Sequence, residues 1–290
     1  MKFTFFILPF LFLFISCNSA QKRAPYDTEN IIFQPKDKEI LDEIFDILET
    51  EKNSSIPVLM IKAGTFFNET PYVASTLEIN PEEEKLVVNL REMDCTTFAE
   101  NCLAIARTMK KGAPTFEKFA YELQNIRYRD GKINGYPSRL HYFSDWIFNN
   151  DQKKLVKRVS KEIADIPYPL NVNFMSTHPG SYIQLKDSTL IPVIAKQEKE
   201  ISSRTMFYIP KDKISEFEDK LMDGDIAGIT TNINGMDIMH VVILVRKGGH
   251  IYPMHASSSA GKVILSDETL EKYLLNSKRA TGIMVARPLE

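Results

Sequence analysis

Arg91-Glu92-Met93-Asp94-Cys95-Thr96-Thr97-Phe98-Ala99-Glu100 turns a loop into a helix at a cysteine. Asp94 is a natural N-cap, and Thr97 with Glu100 has capping-box spacing, so the helix begins within a few residues of Cys95. Phe98, Cys102, Ala106 and Met109 then recur at helical spacing, and Lys110-Lys111-Gly112 followed by Pro114 supplies the stop. A thiol at such a start feels unsatisfied N–H groups and the positive end of the helix dipole. Both favour the nucleophilic thiolate. Cys102 lies on the apolar stripe and reads as a small buried hydrophobe. On one helix the two cysteines stand about 10 Å apart, beyond the reach of a disulfide.

Outward from this segment, helical periodicity covers 38–50, 57–63, 115–126, 142–149 and 152–163, with a short strand over 85–90. From Pro167 onward, proline and β-branched residues increase and strand-like runs follow one another. The charge run Lys196-Gln197-Glu198-Lys199-Glu200 reads as an exposed face. Strands are predicted over 226–231, 236–245 and 251–257, the last two joined by a turn at Arg246-Lys247-Gly248-Gly249. A helical first half and a sheet-rich second half predict one α+β domain over 21–290, its helices packed on an antiparallel sheet.

The first twenty residues are set apart. Lys2 precedes an apolar run over 3–15, too short and wrongly flanked for a membrane span, and it reads as an export signal. Phe14-Ile15-Ser16-Cys17 resembles a bacterial lipobox, in which Cys17 becomes the lipidated first residue. Cleavage after Ala20 is the competing reading, but it puts Asn18 where small residues are usual. The expectation is an exported, periplasmic protein, held to the membrane by a lipid anchor rather than a span. The 36 basic and 38 acidic residues nearly cancel and form no long basic run, which argues against nucleic acid as a partner.

Of the five histidines, His240 and His255 stand apart. If the hairpin turn is centred between Lys247 and Gly248, they face each other on one side of the sheet. A two-residue shift leaves them diagonal neighbours on that face, whereas a one-residue slip separates them. A cysteine nucleophile, a histidine base and a second polar group orienting that base form the logic of thiol hydrolases. Cys95, His240 and His255 fill those roles, with the Cys95 N–H as oxyanion donor. Each residue alone is also an ordinary core residue. One cysteine with two histidines is a zinc set too, but no tight ligand spacing is present. No metal or cofactor enters this scheme.

Three segments carry a resemblance: Asp94-Cys95-Thr96-Thr97-Phe98, Met236-Asp237-Ile238-Met239-His240-Val241-Val242-Ile243, and Met254-His255-Ala256-Ser257-Ser258. Their Cys, His, His order resembles NlpC-type cell-wall cysteine peptidases. The stretches from Thr70 to Glu78, Tyr136 to Trp146 and Asn173 to Pro179 narrow the resemblance to the N-acetylmuramoyl-L-alanine amidase (AmiA-like) branch. It departs at Ala99, where a larger aliphatic residue is more usual. The resemblance implies a papain-like core. It also implies hydrolysis of the amide joining the lactyl group of N-acetylmuramic acid to L-alanine, in peptidoglycan fragments and particularly anhydro-muropeptides. Muropeptides present sugar faces, amides and carboxylates, so Ser138, Arg139, His141, Tyr142 and Trp146 are candidate binding residues, Arg139 as a carboxylate clamp. Tyr72, His178 and Asp237 complete the set. A D-glutamyl-diaminopimelate endopeptidase and a non-catalytic cell-wall-binding lipoprotein are the rival readings.

Overall fold

The computed structural model describes Met1 and residues 31–290, so the segment expected to be an export signal, with Cys17, lies outside the described residues. The chain begins with β1 (Ile31–Ile32), α1 (Pro35–Leu48) and α2 (Ile56–Phe66), followed by β2 (Leu86–Val87), which pairs parallel to β1. Helix α1 starts at a proline behind a Gln34–Asp37 capping box and buries Leu41, Ile44, Phe45 and Leu48 on one stripe.

Helix α3 (Cys95–Lys110) is the central element. Asp94 accepts from Thr97 N at 2.8 Å while Thr97 Oγ1 accepts from Asp94 N at 2.9 Å. The capping box therefore pairs Asp94 with Thr97 and fixes Cys95 as the first helical residue. Every side chain from Thr97 to Met109 is buried. Helices α2 and α4 (Phe116–Arg127) pack along its sides. Helix α5 (Phe143–Gln152) follows. The acidic group on α3 is matched: Glu100 accepts from Arg127 Nε at 2.7 Å and from Trp146 Nε1 at 3.1 Å.

The helix expected over 152–163 does not form. Lys154 takes a left-handed φ of 61° and ends the run. The next residues become β3 (Val156–Arg158), which pairs with the last strand, and only then the short α6 (Ser160–Ala164). Long-range pairing overrides a helical pattern here. Next come β4 (Ile166–Tyr168), α7 (Phe174–Thr177), α8 (Ile191–Ser202), β5 (Met206–Pro210) and α9 (Ile214–Phe217). Helix α8 falls where only strands were expected, and Glu198 in its charge run is buried rather than exposed. The carboxylate accepts from Tyr142 Oη at 2.7 Å and from Ser176 N at 3.1 Å. Ile194, Glu198 and Ile201 form the inner face, so one charged residue interrupts the apolar pattern that would have revealed the helix.

The chain ends with β6 (Ile226–Thr231), β7 (Ile238–Lys247), β8 (His250–Ser257), β9 (Lys262–Leu265), α10 (Leu270–Asn276) and β10 (Ala280–Pro288). The large sheet runs β4-β5-β10-β6-β7-β8-β9, antiparallel throughout. Period-two alternation on β7 sends Val241 and Ile243 into the core shared with α1–α5, and Val242 and Leu244 into the opposite layer under α6, α9 and α10. The molecule is an α+β structure with helices packed on an antiparallel sheet.

Candidate active site

Lys247 faces His250, so the hairpin turn centres between Gly248 and Gly249. Both glycines have positive φ, 59° and 89°, as a two-residue type I′ turn requires. The turn sits one residue later than the sequence reading placed it, which shifts the register by two and makes His240 and His255 diagonal rather than opposed. The β7–β8 pairing stops at Ile243 and Met254. Beyond that point β7 stays with β6, and β8 stays with β9. The hairpin thus opens into a fork, with His240 on one prong and His255 on the other.

Across the fork His240 Nε2 and His255 Nδ1 are 2.5 Å apart, with the rings nearly perpendicular at 83°. The ring of Tyr273, on α10, meets His255 edge-on at 5.4 Å between centroids. The Cys95 end of α3 reaches the same place: Val241 N, next to His240, donates to Cys95 Sγ, and Thr96 Oγ1 lies 4.0 Å from the sulfur. Cys95 and His240 line one cleft of about 160 Å³.

The electrostatics differ from the sequence expectation of a standing thiolate. Burial and the neighbouring Asp94 carboxylate push the Cys95 thiol up to about 12, against the weaker pull of the Val241 and Thr96 contacts. Burial, with His255 beside it, pushes His240 down to about 3, and burial alone pushes His255 down to about 4. At neutral pH the resting site therefore holds a neutral thiol and two neutral imidazoles. When His240 Nε2 carries its proton and donates to His255 Nδ1, its Nδ1 keeps a lone pair and can accept a proton. That tautomer places the second proton of the pair on His255 Nε2, which is buried without a protein partner.

The candidate binding residues divide. His141, Tyr142 and Asp237 line the cleft with Cys95. His141 Nε2 lies 2.9 Å from the Tyr136 carbonyl, so this nitrogen donates and Nδ1 remains an acceptor. Burial first, and Arg139 next, depress its basicity. Asp237 accepts from Ser144 N and from Ile238 N, each at 2.7 Å, and so caps the start of α5 from a distant strand. Tyr72, half-buried, has its hydroxyl pushed above the ordinary value by burial first and by the proximity of Cys95 and Asp94 next. His178 lies outside the cleft lining. It is exposed, stacked on Phe174 at 4.2 Å between centroids, with Nδ1 against Thr177 Oγ1 at 2.9 Å.

Three expectations are corrected. The Arg139 guanidinium is buried and paired with Glu78 and Glu84, so its capacity to clamp a ligand carboxylate is already used. Trp146 is fully buried, stacked on Phe143 at 4.7 Å and bonded to Glu100. Ser138 closes a turn, accepting from Asn134 N at 2.9 Å and donating to Gly135 O at 2.6 Å. In their place the cleft offers Phe174 and Tyr182, which the sequence reading did not single out. Among the described residues no group of three His, Cys, Asp or Glu side chains is disposed to hold a metal ion.

A cysteine at a helix start, an imidazole pair and an aromatic cleft form a set equipped to hydrolyse an acyl bond. Comparison with known proteins gives the same class. Residues 62–283 match the AmiA-like, N-acetylmuramoyl-L-alanine amidase-like family. The chain belongs to that family. An N-acetylmuramoyl-L-alanine amidase from Bacteroides uniformis is 37% identical, with a TM-score of 0.77 over 81% of this chain and 99% of that one. A Bacteroides fragilis structure bearing a xylanase name is 42% identical, with a TM-score of 0.74 over 78% of this chain and 99% of that one. A Legionella pneumophila protein at 20% identity shares the fold, with a TM-score of 0.65 over 87% of this chain and 95% of that one. No curated protein matches the chain.

Proposed function

We propose that the protein is a cysteine-dependent amidase with a papain-like core of the NlpC type. Its substrate is the amide between the lactyl group of N-acetylmuramic acid and L-alanine in muropeptides, anhydro forms included. The observation that carries the reading is the fork: His240 is tied through Nε2 to His255, and the strand bearing it contacts the Cys95 sulfur. As Sγ bonds to the lactyl carbonyl carbon, the thiol proton passes to His240 Nδ1. The carbonyl oxygen takes the negative charge against the Cys95 N–H at the helix start. Collapse breaks the C–N bond, and the nitrogen leaves as an amine with the proton from Nδ1. Water then attacks the thioester and gives its proton to His240. The sugar acid departs, and the thiolate regains a proton.

The test is digestion of a disaccharide-peptide followed by mass spectrometry, with Cys95→Ala alongside. Free disaccharide from the wild type and none from the variant supports the amidase. A shortened stem still joined to the sugar favours the endopeptidase, and binding by both forms without turnover favours a binding lipoprotein. Activity that survives chelation but is lost on thiol alkylation excludes a zinc amidase. A glycosidase needs two carboxylates flanking the bond. The Cys95 cleft is lined by one, Asp237, and its oxygens already accept two backbone N–H groups. We further infer export to the periplasm with lipidation at Cys17. Mass spectrometry of the mature N-terminus would reveal the acyl chains, and an unmodified Gln21 start would overturn the anchor.

A further inference from the structure

The Cys95 cleft is not the only hollow that meets His240. A second, of about 310 Å³, lies between the Ser257-Ser258-Ser259 segment, α10 and the start of β10. Met239 and His240 line both hollows, whereas Cys95 lines only the first. His240 is thus the divide between two chambers of different chemistry. The Cys95 side is walled by the rings of Tyr142, Phe143, Phe174 and Tyr182. The far side presents the hydroxyls of Ser257, Ser258, Ser259 and Tyr273 and the amide of Asn276. Glu268, a carboxylate on this wall, is held by Lys272 at 3.1 Å and by Asn276 Nδ2 at 3.1 and 3.2 Å. Lys278 and Arg279, which lie in sequence between the lining residues Ser277 and Ala280, are exposed and join no ion pair among the described residues.

We propose that this serine-lined hollow is the subsite for the leaving stem peptide, a deduction that rests on the amidase reading. The departing amine sets the direction. The imidazole that protonates a leaving nitrogen must touch it, so the chain beyond that nitrogen continues past His240 and away from Cys95. The acyl half stays at the sulfur, where aromatic faces suit a sugar. A stem peptide brings amides and carboxylates, which the hydroxyl donors of the wall and the exposed cations next to Ser277 and Ala280 in sequence suit.

The experiment compares two substrates: a disaccharide-tripeptide, and N-acetylmuramoyl-L-alanine with nothing beyond the alanine. Ser258→Trp fills the hollow from an exposed turn position. It lowers kcat/KM on the tripeptide substrate by about tenfold or more while leaving the short substrate unaffected. The paired reversal Lys278→Glu with Arg279→Glu raises KM for the tripeptide substrate alone. Equal losses on both substrates, or no loss on either, in both variants overturn the subsite. If the wild type cleaves neither substrate, the amidase reading falls and the subsite falls with it.

Discussion

At the Cys95 sulfur two influences oppose each other. A helix start favours a nearby anion by only about 0.3–1 kcal/mol. Enclosure beside Asp94 outweighs it and carries the thiol up to about 12. On the proposed mechanism the thiol rests protonated and gives up its proton only as His240 accepts it. Iodoacetamide should alkylate Cys95 in the resting protein more slowly than a free thiol at pH 7, read by mass spectrometry of its peptide. Fast labelling that persists down to pH 5 would reveal a preformed ion pair instead. The histidines leave a second signature. His255 is pushed down to about 4 from an ordinary value of 6.5, so the unfolded chain takes up its proton first. Its contribution is intact above pH 6.5 and is lost as pH falls from there toward 4. Between pH 7 and 5 that amounts to about 2 kcal/mol. His255→Gln should flatten this part of a urea-midpoint profile against pH.

Among the elements, α5 depends on a cap supplied from elsewhere. Tyr142 offers no side-chain cap, and Asp237 reaches across from the start of β7 to Ser144 N. Asp237→Ala should cost about 1–2 kcal/mol in urea denaturation. It should also weaken substrate binding more than it slows turnover, because His141 and Tyr142 lie just ahead of α5 in the cleft wall. A variant that lowers kcat with KM unchanged would contradict this. What the sequence disclosed follows the range of the signals. Cys95 was legible because its cap lies within three residues, and the histidine pair because a hairpin is local and a two-residue error in register preserves the face. Arg139 and Trp146 were misread because Glu78, Glu84 and Glu100 approach them from remote segments. Tyr273 gave no signal at all. Its place against His255 depends on how α10 folds back over the sheet.

Across the whole molecule a single sheet separates two apolar layers, and α3 ties the helical layer together through buried charge. Glu100 joins α3 to Arg127 on α4 and Trp146 on α5. Glu100→Ala leaves the Arg127 guanidinium buried with its carboxylate partner removed and should cost about 3–5 kcal/mol. Trp146 is the single tryptophan of the chain and sits within this junction. Its fluorescence and far-UV circular dichroism should report one coincident transition in the wild type. Separate midpoints would show that the two layers unfold independently.

The Gly248–Gly249 hairpin has a further consequence for how the chain could be divided. Past Ile243 and Met254 each strand is secured by its outer neighbour, β7 by β6 and β8 by β9, so the turn is not what holds the two imidazoles in place. Opening the backbone between the glycines yields two fragments, one contributing Cys95 and His240, the other His255. Neither fragment carries the full set, and their reunion would be scored directly as restored hydrolysis. An activity that returned only on mixing would make this protein a two-piece reporter, with its seam at the tip of the hairpin; failure to recover it would show that the turn is needed to bring the strands together.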